Sequence, residues 1–411
     1  DQLREREIQP GEVVCLASDY SFFALSLFFA LVRHGVILVP VTTTVRAEIE
    51  ERIRQSQVER VVQLTGETIQ IRNVLDSPEA KHPLIRQLRD HRAAGLVLFS
   101  SGTTGVPKAM IRDCDVLLKS YEGRTPKVDR IVAFLMLDHI GGIDTFTGSF
   151  ATGMEVVIPE SRDPHHICQL IETHKVDILP ATPTFLNLLL ISGAHKRYDV
   201  SSINTITYGA EPMPESLLVR LNAAFPDARL LQKFGTSETG VPRTRSKSSL
   251  STMMRIDDDD QESQVVNGEL WLRSGTRILG YLNHDSDRFT KAGWFRTGDL
   301  AEEDEDGYIR IIGRSEEVIN VGGRKVLPVE VETIMLELPE VVDCLVRGEA
   351  NAITGQSVTA LVVPSEAADP ASIPAKVRRH CLKHLEKYKV PTRIRLSDSI
   401  ETGSGHKKKR V

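Results

Sequence analysis

Short apolar runs recur along this chain with room for a helix or a polar turn between them: Val13–Leu16, Val36–Val41, Val61–Leu64, Leu96–Phe99, Ile131–Leu135 and Glu155–Ile158. Runs of that length, rich in Val, Ile and Leu, read as strands, and their alternation with helical segments predicts layered α/β architecture with mostly parallel sheets. The theme continues with a helix over His165–His174, a strand over Val176–Leu179 and a helix after Pro183. After Glu269–Leu272 the chain becomes strand- and turn-rich. Beyond a boundary at about Gly313–Glu316, the runs Val329–Leu338, Cys344–Arg347 and Val358–Val363 and the helix Ala375–Lys387 read as a second compact unit of small-domain size. The expectation is a large N-terminal domain over 1–313, with layered α/β subdomains and a β-rich part, and a small α+β C-terminal domain over 314–411. A length of 411 residues exceeds what one core usually supports, which agrees with two units.

Composition excludes several classes. A net charge of −5 gives no global attraction to nucleic acid or to an anionic membrane. The most apolar stretch, Ser21–Val41, is broken by Arg33, His34 and Gly35 before it could span a bilayer, so it reads as a buried helix followed by a strand. Cys15, Cys114, Cys168, Cys344 and Cys381 are scattered with no C-x-x-C pair, which argues against a zinc site or a disulfide framework and favours a reducing compartment, the cytoplasm. The acidic run Asp257–Asp260 lacks EF-hand spacing and reads as a solvated loop. Four basic residues, Lys407–Arg410, read as a solvated chain end.

Directly after Gly95–Phe99 comes Ser100-Ser-Gly-Thr-Thr-Gly-Val-Pro-Lys108. At a strand's carboxyl end, two glycines let backbone N–H groups converge, hydroxyls add donors and Lys108 adds a charge, so the loop reads as a phosphate cradle. It is not the Walker loop, because Gly102 and Gly105 are too close together and Ala109 follows the lysine.

This loop resembles the signature of the adenylate-forming superfamily of acyl- and aryl-CoA synthetases, peptide-synthetase adenylation domains and luciferases. Gly209-Ala-Glu-Pro-Met-Pro214 is similar to its adenine-side segment, and Phe234-Gly-Thr-Ser-Glu-Thr-Gly240 to its aromatic-Gly-x-Thr-Glu motif. Gly293-Trp-Phe-Arg-Thr-Gly-Asp-Leu300 is similar to its ribose segment, and Gly313 to Glu332 to its hinge and the opening of its small domain. The matches keep one order, and the resemblance covers essentially the whole chain. Members carry a further strand-rich segment ahead of the equivalent of Gly11–Leu16, so a compact form and a piece of a longer chain both stay open.

The resemblance implies ATP- and magnesium-dependent activation of a carboxylic acid to an acyl-adenylate, then thioester formation with CoA. Ser101, Thr103, Thr104 and Lys108 would hold phosphates; Gly209, Ala210, Glu211, Phe234 and Gly235 would frame the adenine. Glu238 would ligate the metal, and Ser237, in the place of the usual threonine, would reach the α-phosphate. Asp299 would accept the ribose hydroxyls, with Arg314 as its basic partner. Glu316 stands at the hinge, and Gly322 and Gly323 lie where pantetheine would pass after the small domain rotates. On the acyl side, His139 and Gly142 match His-x-x-Gly, with Tyr208 and 181–184 as further lining and Asp138 and Asp144 nearby. Relatives that adenylate amino acids have aspartate at the His139 position, so an acid without an α-amino group is favoured, medium-sized or aromatic.

One departure stands out. Where the family has a catalytic lysine near its end, this chain has His406, with Lys407 next. Imidazole is shorter and, with a reference pKa of about 6.5, mostly neutral at pH 7. Three accounts stay open: Lys407 reaches in by a one-residue shift, His406 serves at a lower rate, or adenylation has been weakened. Two rivals to the CoA ligase are an enzyme loading the phosphopantetheine of an acyl carrier protein and a degenerate member that binds without turnover. Neither a nucleic-acid partner nor a membrane span is expected.

Overall fold

Val13–Ala17 and Ile37–Val41 are apolar and buried nearly throughout, the pattern of central strands covered on both faces. In the computed structural model, which describes residues 8–75, 81–100, 107–401 and 408, they pair in parallel with each other. Arg60–Thr65 and Gly95–Ser100 join them, also in parallel. Antiparallel strands finish both edges: Thr68–Asn73 on one side, Lys108–Asp113 and then Gly280–Tyr281 on the other. Alternation sorts the side chains between two cores. Val14, Leu16, Leu38, Leu96 and Leu98 enter one; Val13, Cys15, Ile37, Val39 and Val97 enter the other.

The helix expected after Ser21 spans Phe22–Arg33, with the Ser21 hydroxyl accepting from Ala24 N–H, and the chain turns at Gly35 with φ +80°. No helix among the described residues is long and apolar enough to cross a membrane.

A second, fully parallel sheet runs Arg229–Gln232, Thr205–Tyr208, Ile178–Ala181, Arg130–Val132 and Glu155–Val157 in that order. The expected strand over Ile131–Leu135 is shorter, because the chain turns back at Phe134, whose N–H bonds Val132 O, toward the helix Ile140–Thr152. Helices Pro164–His174, Pro183–Ser192 and Glu215–Ala224 cover one face and share a core with Ile206, Tyr208 and Leu230.

The β-rich part is a third, antiparallel sheet that includes Glu269–Ser274, Phe295–Glu303 and Ile309–Arg314. A fourth sheet follows the short turn Ser315–Glu317, built on the long hairpin Val341–Asn351/Gly355–Pro364. Helices Pro328–Met335 and Ile373–His384 pack on it around Val331, Met335, Val346, Val358 and Val377. All five cysteines are buried and unpaired, and burial pushes the thiols of Cys15, Cys114 and Cys168 up to about 12, so they are poor nucleophiles.

Candidate active site

Two neighbouring strands of the second sheet end side by side, and the two adenine-side segments follow them directly. Thr205–Tyr208 leads into Gly209-Ala210-Glu211, and Arg229–Gln232 leads through Lys233 into Phe234. The carboxyl edge of a parallel sheet is where α/β folds gather ligand-binding loops. The segments touch: a Cβ on Gly209 would come within 2.4 Å of Lys233 O, so only glycine permits this approach. Ala210 is held at φ +69°, a strained conformation for a residue with a side chain. The two oxygens of Glu211 accept from Thr184 N–H at 3.2 Å, in the first turn of Pro183–Ser192, and from Lys408 N–H at 2.9 Å.

The Phe234–Gly240 loop is clamped across its base. Thr236 and Gly240 exchange backbone bonds of 3.1 and 2.9 Å, and the Thr236 hydroxyl accepts from Thr239 N–H at 3.0 Å. A Cβ on Gly235 would meet Gly240 O at 2.8 Å. At the tip, Glu238 Oε1 accepts the Tyr281 hydroxyl at 3.0 Å. Its other carboxylate oxygen takes no hydrogen bond from a described residue. Lys108 Nζ lies 6.0 Å from the centre of the Tyr281 ring. A wholly buried guanidinium, Arg112, donates to Ser237 O and, at 3.3 Å, to Thr276 O. Burial pulls the Arg112 pKa down to about 10, which leaves it charged at neutral pH. Carboxylate, phenol and two cations thus converge where the first sheet's edge meets the second sheet's loops.

Asp299 and Arg314 are register partners on adjacent strands, joined by Arg314 Nε to Asp299 Oδ1 at 2.9 Å. Asp299 is almost wholly buried; burial raises its pKa and Arg314 works against that rise. Only Oδ1 is committed among the described residues, so Oδ2 can accept from a diol. Beside them, Glu316 pairs with Arg288, which also donates to Thr297 O at 3.2 Å. Gly322 and Gly323, at φ +59° and +81°, form the tight turn of a two-stranded hairpin, the conformation of a type I′ turn.

On the acyl side, His139 caps the helix Ile140–Thr152, its Nδ1 accepting Gly141 N–H at 3.2 Å. Gly142 is required by packing, since a Cβ there would lie 1.9 Å from Met136 O. Asp138 is taken up by Arg52 at 2.6 Å, and Asp144 accepts the Tyr121 hydroxyl at 3.0 Å. The Tyr208 ring is buried in the core of the second sheet, its hydroxyl without a hydrogen-bond partner among the described residues, and Tyr208 O accepts Lys233 N–H at 2.7 Å. Ser101, Thr103, Thr104, His406 and Lys407 lie outside the described residues. Lys408 ties the chain end inward: its ammonium donates to Asp343 Oδ1 at 2.6 Å and Cys344 O at 2.8 Å. Burial works against that charge, but Asp343 and Glu332 outweigh it and hold the Lys408 pKa above the usual lysine range.

Sequence reasoning did not find Arg112, Tyr281, Lys233 or Lys408. Arg112 sits on the strand Lys108–Asp113, whose apolar part, Ala109-Met-Ile111, is too short to signal a strand in the sequence.

Residues 1–282 match the family model described as AMP-binding enzyme, and residues 330–406 match the AMP-binding enzyme C-terminal domain. The chain is 27% identical over 373 residues to 4-coumarate--CoA ligase 1 of Arabidopsis thaliana, covering 83% of this chain and 64% of that one. It is 30% identical over 295 residues to a probable CoA ligase, CCL5, of Humulus lupulus, covering 65% and 54%. It spans about half the length of the curated relatives it matches. The fold superposes on the anthranilate CoA ligase AuaEII in complex with anthranoyl-AMP, with a TM-score of 0.80 at 20% identity, covering 99% of this chain and 87% of that one. ATP-bound MatB from Rhodopseudomonas palustris gives a TM-score of 0.81 at 23% identity, covering 98% and 88%. With one family model over residues 1–282, the C-terminal model over 330–406 and the motifs in order along the chain, the chain belongs to the AMP-binding enzymes of the adenylate-forming superfamily.

Proposed function

We propose that this protein is an AMP-forming acid–CoA ligase. The observation that carries the reading is the convergence of Glu238, Tyr281 and Lys108 beside the segments of Phe234 and Glu211, with the Asp299–Arg314 pair at hand for a ribose. In the first half-reaction a carboxylate oxygen of the acid attacks the α-phosphorus of ATP, and the bond to pyrophosphate breaks. Two anions must meet, so the protein's task is to supply positive charge and alignment. Lys108, with Ser101, Thr103 and Thr104, holds the departing phosphates. Ser237 donates to the α-phosphate; Phe234, Gly235, Gly209 and Ala210 frame the adenine; Asp299 accepts the ribose hydroxyls.

Magnesium suits the carboxylate of Glu238, a hard oxygen donor with one oxygen taking no hydrogen bond from a described residue, and when bound would neutralise phosphate charge. In the second half-reaction the thiol of CoA adds to the acyl carbonyl as its proton leaves, and AMP departs. The small domain, 314–411, turns about Glu316 between the halves, bringing Gly322 and Gly323 to the pantetheine and taking away the segment with His406 and Lys407. His139 and Gly142 border the acyl group. The cytoplasm is the fitting location, since both ATP and CoA are available there and the thiols stay reduced.

Magnesium-dependent pyrophosphate release from ATP with a panel of carboxylic acids, with and without CoA, tests this, with mass detection of acyl-AMP and acyl-CoA. A CoA thioester appearing with one acid supports the ligase. Absence of pyrophosphate release with every acid defeats it.

A further inference from the structure

Two histidines of the small domain stand four residues apart on one helix. His380 and His384 belong to Ile373–His384, whose Val377 and Cys381 are buried in the small-domain core with Val331 and Met335 of the helix Pro328–Met335. An i,i+4 spacing places both rings on the same side of the helix, here along the rim of the buried stripe. The ring centroids lie 4.5 Å apart. Across the seam, the turn after Pro328–Met335 is closed by Leu338 N–H donating to Met335 O at 3.2 Å, and it carries Glu337. His380 Nε2 lies 2.9 Å from Glu337 Oε2. One turn earlier on the same stripe, Lys376 bonds Glu340 at 2.7 Å, so that cation sits on a different carboxylate.

Glu337, His380 and His384 each offer one ligand atom, and the three atoms lie within 4.8 Å of one another. Zinc takes imidazole and carboxylate donors at about 2.0–2.2 Å, so in a tetrahedral site its donors stand about 3.3–3.6 Å apart. The widest pair therefore has to close by at most about 1.5 Å. Side-chain torsions supply such a change, since Glu337 and His384 are exposed and His380 is half-buried. Donor type narrows the ion. Magnesium and calcium prefer oxygen ligands throughout, whereas two imidazoles with one carboxylate suit zinc and its transition-metal neighbours. Two histidines at this spacing on a helix are also the metal-binding pair of the His-Glu-x-x-His motif. Cys381 stands where that motif has its catalytic glutamate, so no hydrolytic chemistry attaches to the site.

We propose that Glu337, His380 and His384 form a binding site for a divalent transition-metal ion of the zinc class, which ties the end of one small-domain helix to the turn after the other. Three protein donors leave the fourth tetrahedral position to water. The competing arrangement is a plain hydrogen bond between His380 and Glu337, which needs no ion and gives His384 no part. The site uses no residue of the proposed ligase reaction, so its fate is independent of that reading.

Calorimetric titration of the chelator-treated full chain with Zn2+, in excess Mg2+ so that hard oxygen sites such as Glu238 are filled, tests the site. The wild type should bind zinc. His380→Asn or His384→Asn should weaken that affinity more than about 100-fold, beyond the roughly 10- to 100-fold typical of losing a group that only supports a ligand. Glu337→Gln should weaken it at least about 10-fold. Lys376→Met, which removes the neighbouring ion pair and no ligand, should hold it within about threefold of wild type. Diffraction at the zinc absorption edge from zinc-soaked crystals of the wild type should place an ion between the three side chains, a readout that depends on no variant's folding. A His384→Asn variant with wild-type zinc affinity overturns the proposal in favour of the plain hydrogen bond. So does a wild type that binds no zinc, or an anomalous signal found only elsewhere in the molecule.

Discussion

Replacing Arg112 by Met removes a guanidinium that is buried almost completely and holds two carbonyls, Ser237 O and Thr276 O. Two opposing amounts set the outcome. Burial lowers the Arg112 pKa from 12.5 to about 10, which at about 1.36 kcal/mol per unit is a penalty of about 3 kcal/mol on the folded state, and Met relieves it. Hydrogen bonds from charged donors contribute about 1.5–3 kcal/mol each, so losing two costs about 3–6 kcal/mol. The net is a destabilisation of about 0–3 kcal/mol, mild enough for the variant to fold. At neutral pH the group is protonated whether folded or unfolded, so this balance does not change with pH there. Activity should fall further than stability does. Arg112 grips the carbonyl of Ser237, next to Glu238, and a loop displaced by about 1 Å costs about a hundredfold in rate. Denaturant unfolding and the rate of pyrophosphate release measure the two effects. A kcat within twofold of wild type would refute the strut role, and a stability loss above about 5 kcal/mol would refute the balance of terms.

Asp299→Ala should raise the KM for ATP about 10- to 100-fold, through loss of bonds to a charged acceptor. The variant should also discriminate less than wild type against 2′-deoxy-ATP, and unchanged discrimination would count against a ribose role. Tyr281→Phe removes the donor that steadies Glu238 Oε1; a net bond of about 1 kcal/mol corresponds to a roughly fivefold higher magnesium concentration for half-maximal rate, read by titration. Gly142→Ala places a methyl 1.9 Å from Met136 O, so the midpoint of thermal unfolding should drop by several degrees or the protein should fail to fold, in keeping with overpacking costs of about 1–3 kcal/mol or more. Lys408→Met leaves Asp343 buried without its cation, and a loss of about 3–5 kcal/mol in chemical denaturation is expected.

Much of the architecture could be read from the chain because its central strands are apolar on both faces and short enough to exclude helices, as in Val13–Ala17 and Ile37–Val41. The antiparallel strand Lys108–Asp113 was harder to see. Its apolar part is only Ala109-Met-Ile111, and its pairing with Gly95–Ser100 comes from a loop already claimed by the phosphate motif. Motif residues such as Glu238 and Asp299 were legible because chemistry fixes their type. Arg112 and Tyr281 were not, because they act through segments far away in sequence. The same holds for Glu211, whose carboxylate joins Thr184 to Lys408 across a separation of 197 residues in the latter bond. His139 and Gly142 show both sides: a helix cap and a packing contact account for their geometry, and the proposed acyl role would come in addition to these.

The pairing of Ser100 with Lys108 has a thermodynamic consequence for the phosphate loop. Because its two ends are cross-strand partners, the ring is already closed when the first sheet forms. A nucleotide bound there would therefore not need to bring the two ends together. Closure entropy grows as the logarithm of length, about 0.6 kcal/mol for each doubling, so stability should be nearly indifferent to a few residues inserted in this loop. Affinity for triphosphate, which depends on where each donor sits, should be sensitive to them. Under the proposed role, length and spacing in this segment would be set by the ligand far more than by the fold.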